Sequence, residues 1–194
     1  MQSSMLRAIQ AAVLVLIGVN LIGCASVTMP PPVASASNLE KIRSANLTPS
    51  NVGRFGIMPD AAPSMDNSLG GLRGSSLRPS NGSFSQHLRE VVIAELKAAG
   101  LYDASSQIEI GAQLTESQVD TAIGTGTAKL GANFTVDKAG VRVFEKILSV
   151  DSQWESSFVG AIAIPEATNQ YSALYKALVG KLFDDIGFRT ALAR

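Results

Sequence analysis

Hydrophobic residues recur with helical spacing in two segments of the chain. Between residues 84 and 99 they fall three or four positions apart, which predicts an amphipathic helix. Ser83 and Gln86 have the spacing of a capping box, and Gly100 suits the left-handed residue that often ends a helix. A second stripe predicts a helix with Pro165 in its first turn. The apolar positions of this second stripe are Tyr171, Leu174, Tyr175, Leu178 and Leu182.

Strict alternation of apolar and polar residues indicates strands between these two helices. Residues 107–115 and 127–137 each predict a strand with one buried face, and a third strand follows over 141–154 after a short turn. The apolar run 52–58 predicts an earlier strand, although its two glycines weaken it. The order β-α-β-β-β-α predicts an α+β two-layer sandwich, with a mostly antiparallel sheet of about four strands and two helices on one face.

The amino terminus has the pattern of a secretory signal peptide. Residues 8–23 are apolar apart from Gln10 and Asn20, and Arg7 precedes them. This run is shorter than the roughly 20 residues that span a bilayer. A basic start, a short apolar core and small residues near the end therefore predict a signal peptide over residues 1–23.

The only cysteine of the chain follows this segment directly. Leu21, Ile22, Gly23 and Cys24 together resemble the bacterial lipobox. The resemblance implies a diacylglycerol on the Cys24 thiol and an N-acyl chain after cleavage, and two or more acyl chains give stable anchoring. Because Ala25 rather than Asp follows, the resemblance implies the outer membrane. The alternatives are an ordinary cleaved signal peptide or an uncleaved membrane helix with an incidental cysteine.

The segment after the lipobox has the composition of a linker. Residues 24–51 are rich in Ser, Ala, Asn and Pro, and Pro30–Pro32 favours an extended polyproline conformation. We expect a lipidated cysteine and a flexible tether here, followed by a single periplasmic domain over 52–194. The alternative is that this segment packs on the domain near Leu39 and Ile42.

A long segment inside the domain carries no periodicity. Residues 59–83 are rich in Gly, Ser, Pro and Asn, which predicts a long loop. Arg73 and Arg78 lie in this loop, where they could contact a partner or an anionic glycan. Disorder without function is the alternative.

Composition and charge exclude several kinds of site. One cysteine and one histidine exclude a disulfide framework, a Cys-rich zinc site and a multi-His metal site. The net charge is zero, and removal of residues 1–23 takes away only Arg7, so we expect no nucleic acid partner. We find no nucleophile elbow, Ser-x-x-Lys pair or P-loop. His87, Asp184 and Asp185 are better interpreted as solvated or helix-end residues, so we expect no catalytic residue, metal or cofactor besides the lipid on Cys24.

Two aromatic residues are candidates for partner binding together with Arg73 and Arg78. Trp154 is the only tryptophan, and aromatic residues are enriched at binding hot spots. The interpretation we favour is nevertheless a core tryptophan that closes the sheet and helix layers. Phe158 lies in the small apolar run 156–164, which we expect to be a buried connection rather than an exposed strand.

The chain as a whole resembles small envelope lipoproteins of the YajG type. The resemblance is carried by the lipobox, by the helix with Phe84 and Leu88 that ends at residues 99–101, and by the stretch 154–161. The layout is also similar to the amino-terminal domain of TolB, the curli-secretion lipoprotein and the lipoprotein activators of penicillin-binding proteins. The resemblance implies a non-catalytic, lipid-anchored periplasmic accessory protein that binds an envelope protein. A module that binds a small ligand, lipid or glycan is the alternative, and an envelope enzyme is the least favoured one.

Overall fold

A computed structural model describes residues 25–193 of the chain. The predicted signal peptide, the lipobox residues Leu21, Ile22 and Gly23, and Cys24 lie outside the described residues. In chain order the elements are β1 (Ser26–Thr28), α1 (Ala36–Ser44), β2 (Asn51–Ile57), α2 (Ser64–Asn67), β3 (Leu69–Leu72), β4 (Ser75–Arg78), α3 (Phe84–Ala99), β5 (Ile108–Asp120), β6 (Gly124–Lys138), β7 (Val141–Ser156), α4 (Gly160–Asp184) and α5 (Ile186–Leu192).

The main sheet has four strands in the order β2-β5-β6-β7. β2 is parallel to β5 and the other two pairs are antiparallel, which confirms the predicted α+β fold and mostly antiparallel sheet. β5 and β6 are longer than predicted, and only residues 121–123 separate them. Ala139 and Gly140, both at positive φ, form the tight turn between β6 and β7.

Helices α3 and α4 cover one face of this sheet, as predicted. Ser83 caps α3, since its Oγ accepts a hydrogen bond from the Gln86 N–H at 3.1 Å, and Gly100 ends the helix at φ +73°. The predicted stripe of α4 is buried from Tyr171 to Leu182. α4 begins at Gly160, so Pro165 lies in its second turn rather than its first.

The segment predicted as a flexible tether is ordered and packed from residue 25 onward. β1 pairs in parallel with β4, Met29 is buried, and α1 packs on α3 and α4 through the buried Ile42. The tether prediction is therefore wrong for residues 25–51, and the alternative of packing at Ile42 is what the structure shows. A few well-placed apolar residues outweigh the linker-like composition of the segment, because each one buries its whole side chain.

The segment 59–83 is likewise not an unstructured loop. It contains α2 and a β3–β4 hairpin, which joins β1 in a second sheet of order β1-β4-β3. Leu69, Leu72 and Leu77 are buried and hold this small sheet against the main one. The Asp66 carboxylate accepts hydrogen bonds from the Ser85 N–H at 2.7 Å and the Ser83 hydroxyl at 2.8 Å. The sequence does not predict these contacts because three leucines among glycines and serines have no recognisable period.

Candidate functional site

Several large apolar side chains are exposed together at one end of the main sheet. β6 begins and β7 ends there, with Gly124 opposite Ser156. The large apolar side chains just beyond this pair and in the first turn of α4 expose between 49% and 78% of their surface. Scattered exposed apolar residues are ordinary, but a contiguous group marks an interaction site. We call this group the apolar tip, and its members are Ile123, Phe158, Val159 and Ile162.

Arg73 holds the two halves of the apolar tip together. It lies at the β3–β4 turn with φ +51°, and its Nε donates to the Thr121 carbonyl at 2.8 Å. The other guanidinium nitrogens donate to the carbonyls of Phe158 at 2.8 Å and Ser157 at 2.6 Å, and to the Ser156 hydroxyl at 3.2 Å. All four acceptors are neutral oxygen atoms. A planar guanidinium with five donors can join several carbonyls in this way.

Trp154 lies on the same end of β7 but contacts the protein interior. It pairs with Gly126 across the strands, and a Cβ at position 126 would lie only 2.3 Å from Cε2 of the indole. The ring is half-buried and packs against the hydrophobic core. Its Nε1 is buried with no hydrogen-bond partner among the described residues. This placement favours the core interpretation of Trp154.

The four residues predicted for partner binding are therefore only partly brought together. Arg73 contacts Phe158 directly, and Trp154 is near them on β7. Arg78 lies at the far end of β4, where its carbonyl accepts from the Met29 N–H at 2.9 Å. The expectation that residues 156–164 form a buried connection is wrong for Phe158, Val159 and Ile162. A run of small and apolar residues alone does not distinguish burial from an exposed binding surface.

Three further apolar side chains are exposed towards the opposite end of β7, where Val141 pairs with Lys138 and Ile147 with Asn133, so they lie on both faces of the strand. Val141, Val143 and Ile147 expose 46% to 65% of their surface. The pairing with β6 shifts by one residue next to Val143, as in a β-bulge, and bulges re-aim side chains. β7 is the last strand of its sheet, so its outer edge carries no further strand of the described chain. We call these three residues the β7 apolar strip.

The face of the main sheet opposite α3 and α4 is polar. A groove of about 360 Å³ lies there between β2 and β7. Three of its charged side chains are paired, because Arg142 donates to the carboxylates of Asp137 and Glu145, and Glu145 also accepts from Asn133 at 2.7 Å. The Asp137 carboxylate raises the pKa of Arg142.

A chain of buried polar side chains crosses the interface between α3, α4 and β5. The hydroxyls of Ser117 and Tyr171 are 2.7 Å apart, and those of Tyr171 and Tyr175 are 3.1 Å apart. Burial raises the pKa of Tyr171 to about 12 and that of Tyr175 well above its usual value. Both phenols are therefore neutral hydrogen-bonding groups at physiological pH.

His87 extends this polar group and corrects a prediction. The sequence predicts it on the wet face of α3, but it is only 3% exposed and its ring meets the Tyr175 ring edge-on at 4.8 Å. Burial lowers its pKa, against a smaller opposing effect of Glu90. Its Nδ1 is buried without a hydrogen-bond partner among the described residues. α1 and α4 cover the helix face that the sequence alone assigns to water.

The imidazole also borders a cleft of about 470 Å³. The Pro30–Pro32 segment forms one wall of this cleft, together with Val33, and Tyr175 and Ala173 of α4 form the other. Its lining is mostly apolar, and burial favours the neutral form of both ionisable rings that line it, His87 and Tyr175. A cleft of this kind suits a small apolar group.

The acidic residues near the two ends of α4, among them Asp184 and Asp185, have structural partners. Asp185 accepts from the Phe188 N–H at 3.1 Å and so caps α5, while its other oxygen contacts Lys146 at 2.6 Å. Asp184 pairs with Lys41 and Arg189. Glu166 accepts from Gln170 one turn further along α4. These contacts account for the carboxylates at the ends of α4.

Within residues 25–193, no helix has the length and hydrophobicity needed to cross a bilayer. No protein-family model matches the chain, and no curated protein matches it. Solved structures do resemble it. A Xanthomonas campestris protein assigned to the family DUF330 is 12% identical, with 82% of this chain and 95% of that chain covered and a TM-score of 0.53.

A minor lipoprotein from Acinetobacter baumannii is 10% identical, with 76% of this chain and 95% of that one covered and a TM-score of 0.43. A PelC dodecamer from Paraburkholderia phytofirmans is 12% identical, with 87% and 95% covered and a TM-score of 0.34. The likeness to the Xanthomonas protein shows a shared fold.

Proposed function

We propose that this chain is a lipid-anchored accessory protein of the bacterial cell envelope that acts by binding a protein partner and not by catalysis. The anchor is Cys24 in its lipobox context, and the absence of Asp at position 25 supports the outer membrane. The domain then faces the periplasm.

The observation that carries the binding proposal is the exposure of the β7 apolar strip on the last strand of the main sheet. An edge strand presents unpaired backbone groups that another chain can use, and proteins that avoid such pairing place charges there. β7 does carry charges, among them Arg142, Glu145 and Lys146. Val141, Val143 and Ile147 nevertheless remain exposed between these charges, as expected for a surface that a partner covers.

Photo-crosslinking in living cells tests this proposal. A photoreactive residue replaces Val143 or Ile147 in the full chain, and the matched control carries it at Val33, a 59% exposed valine at the cleft beside His87. We expect one envelope protein to be captured from both strip positions and not from position 33. Capture of no protein, or of the same mixture from all three positions, would overturn the binding proposal.

The lipid anchor has its own test. Cys24→Ser is expected to abolish labelling by a radioactive fatty acid and to release the protein from the membrane fraction. If the variant is still labelled, Cys24 is not the anchor. Separation of inner and outer membranes of cells that carry the unaltered chain tests the outer-membrane assignment.

A second candidate function is the binding of a small, mostly apolar ligand with one hydrogen-bond donor in the cleft beside His87. The specific observation is the orphaned Nδ1 of a buried histidine at the wall of an apolar cleft. A polar atom of this kind is stabilised by any donor that a ligand brings. Native mass spectrometry of the purified protein tests this function. A measured mass equal to that of the protein alone, with no co-purified ligand, would argue against it.

A further inference from the structure

We propose that the apolar tip inserts into the surface of the phospholipid bilayer that holds the anchor. The proposal rests on the lipid anchor proposed above and adds a second, non-covalent contact with the same membrane. The occupant of the tip is thus the interfacial region of a bilayer.

The first described residue fixes where the chain leaves the anchor. The carbonyl of Ala25 accepts a hydrogen bond from the Ser76 N–H at 3.0 Å, and Ser26 lies opposite Ser76 in the parallel β1–β4 pair. Cys24 is the next residue in the sequence, and consecutive Cα atoms are about 3.8 Å apart. A lipid on Cys24 is therefore attached next to the start of β4.

The start of β4 and the apolar tip lie at the same end of the domain. Arg73 and Ser76 are three residues apart, so their Cα atoms are separated by at most about 11 Å. Arg73 donates directly to the carbonyls of Phe158 and Thr121, which border the two halves of the tip. The anchor and the tip are thus linked through one turn of the chain.

This short link leaves the domain little freedom to move away from the membrane. A flexible tether over residues 24–51 would have allowed the domain to move well clear of the lipid, but residues 25–51 are packed on the domain. The headgroup layer of one leaflet is only about 5–8 Å deep. An anchor at this position therefore brings the neighbouring surface of the domain to the headgroups.

The chemistry of the tip suits this location. Its four side chains are one phenylalanine and three aliphatic residues with no polar terminus, so water hydrates them poorly while the acyl boundary accepts them. The guanidinium of Arg73 lies behind them, where its hydrogen bonds to the carbonyls of Thr121 and Phe158 hold the tip in place. Exposed Asp120 and Glu155 flank the tip, so its contact with lipid rests on apolar area and not on attraction to anionic lipids.

The opposite end of the domain provides a matched control. α4 starts at the tip and has 25 residues, a length of about 37 Å. Ile186, beyond its far end, is 81% exposed and comparable in character to Ile162. Exposure alone would place both isoleucines in water, whereas the proposal places only Ile162 in lipid.

Spin labelling of the reconstituted protein tests the proposal. The protein is isolated from bacterial membranes, its acylation is checked by mass, and it is reconstituted into phosphatidylcholine vesicles. Since Cys24 is the only native cysteine, acylation leaves the introduced cysteine of Phe158→Cys, Ile162→Cys or Ile186→Cys as the only free thiol for a nitroxide. Collision with oxygen, which concentrates in hydrocarbon, is compared with collision with a polar nickel chelate, which does not enter it.

We expect high oxygen and low nickel accessibility at positions 158 and 162, and the reverse at 186. The double variant Phe158→Ser/Ile162→Ser, labelled through Ile123→Cys, is expected to lose the oxygen-rich signature that Ile123→Cys shows in the otherwise unaltered chain. Nickel accessibility at the tip equal to that at 186 would overturn the proposal. Shielding of the tip from both reagents would also overturn it, because a second copy of the chain or a protein then covers the tip.

Failure of the proposed function gives a different result. An unacylated mass means that the lipid anchor is wrong, whatever the labels report. An acylated protein whose tip stays in water keeps the anchor and removes only the insertion.

Discussion

Asn38 and Glu95 are 57 residues apart in sequence and share a hydrogen bond of 2.9 Å in the protein interior. The amide of Asn38 donates to Oε1 of Glu95, which also accepts from the Ser35 N–H at 3.0 Å. Glu95 is completely buried, and the same Asn38 amide donates to the Lys176 carbonyl on α4. This polar contact joins α1 to both long helices, so the segment of residues 25–51 is part of the domain.

Removal of the Asn38 amide should destabilise the domain. Asn38→Ala leaves a buried carboxylate with one donor fewer, which costs about 1–3 kcal/mol in the free energy of unfolding. Urea denaturation followed by circular dichroism measures this loss. Glu40→Ala, at an exposed position of the same helix, is the control and should change stability little. Equal effects of the two substitutions would contradict the prediction.

The contact between Trp154 and Gly126 predicts a spectroscopic effect. Gly126→Ala places a Cβ within 2.3 Å of the indole, so the ring must move. We expect a loss of about 1–3 kcal/mol and a red shift of fluorescence, since the protein has a single tryptophan. Gly56→Ala in β2 has open space around its Cβ. It should leave the emission unchanged and the free energy of unfolding unchanged or slightly higher. Unchanged emission in Gly126→Ala would refute the contact.

Burial of His87 predicts a loss of stability in mild acid. Burial lowers the pKa of His87 in the folded state, so between that lowered value and the unfolded value of about 6.5 the unfolded chain binds more protons. The contribution of neutral His87 to the free energy of unfolding is therefore fully present above about pH 6.5. It is lost as the pH decreases through this window, by at most about 1.4 kcal/mol per pH unit.

His87→Gln should flatten this dependence because glutamine does not titrate. Denaturation in urea at several values from pH 7.5 to 5 compares the variant with the unaltered chain. The pKa values of Asp103 and Asp185 are lowered, so these carboxyls titrate below the window. Parallel pH profiles for the two proteins would show that His87 does not cause the acid sensitivity.

Arg73 is expected to control the order of the apolar tip. Arg73→Lys keeps the charge but cannot reproduce the planar set of donors, so the contacts with Thr121, Ser157 and Phe158 are weakened at a cost of about 1–2 kcal/mol. Hydrogen exchange measured by mass spectrometry should show faster exchange in peptides that contain residues 157–163. Arg78→Lys, at the other end of β4, should leave this exchange unchanged, and equal exchange in both variants would contradict the prediction.

Local patterns in the sequence determine much of the fold. Ser83 and Gly100 at the ends of α3 and the alternation in β5, β6 and β7 are confirmed, because capping and pleating depend on residues close in sequence. Trp154 packs against the core, in agreement with the interpretation that the sequence favours. The lipobox at residues 21–24 stays a prediction that depends on sequence alone.

Tertiary structure decided the features that depend on distant partners. Residues 25–51 and 59–83 have the composition of linkers, yet Met29, Ile42 and Leu72 are buried because other elements supply the opposite wall. His87 is buried for the same reason, since α4 covers the face that α3 alone would expose. Phe158 is exposed although its neighbours in sequence suggest burial. Local spacing determines whether a segment can form a helix or strand, but burial is a property of the surfaces that meet only when the whole chain is folded.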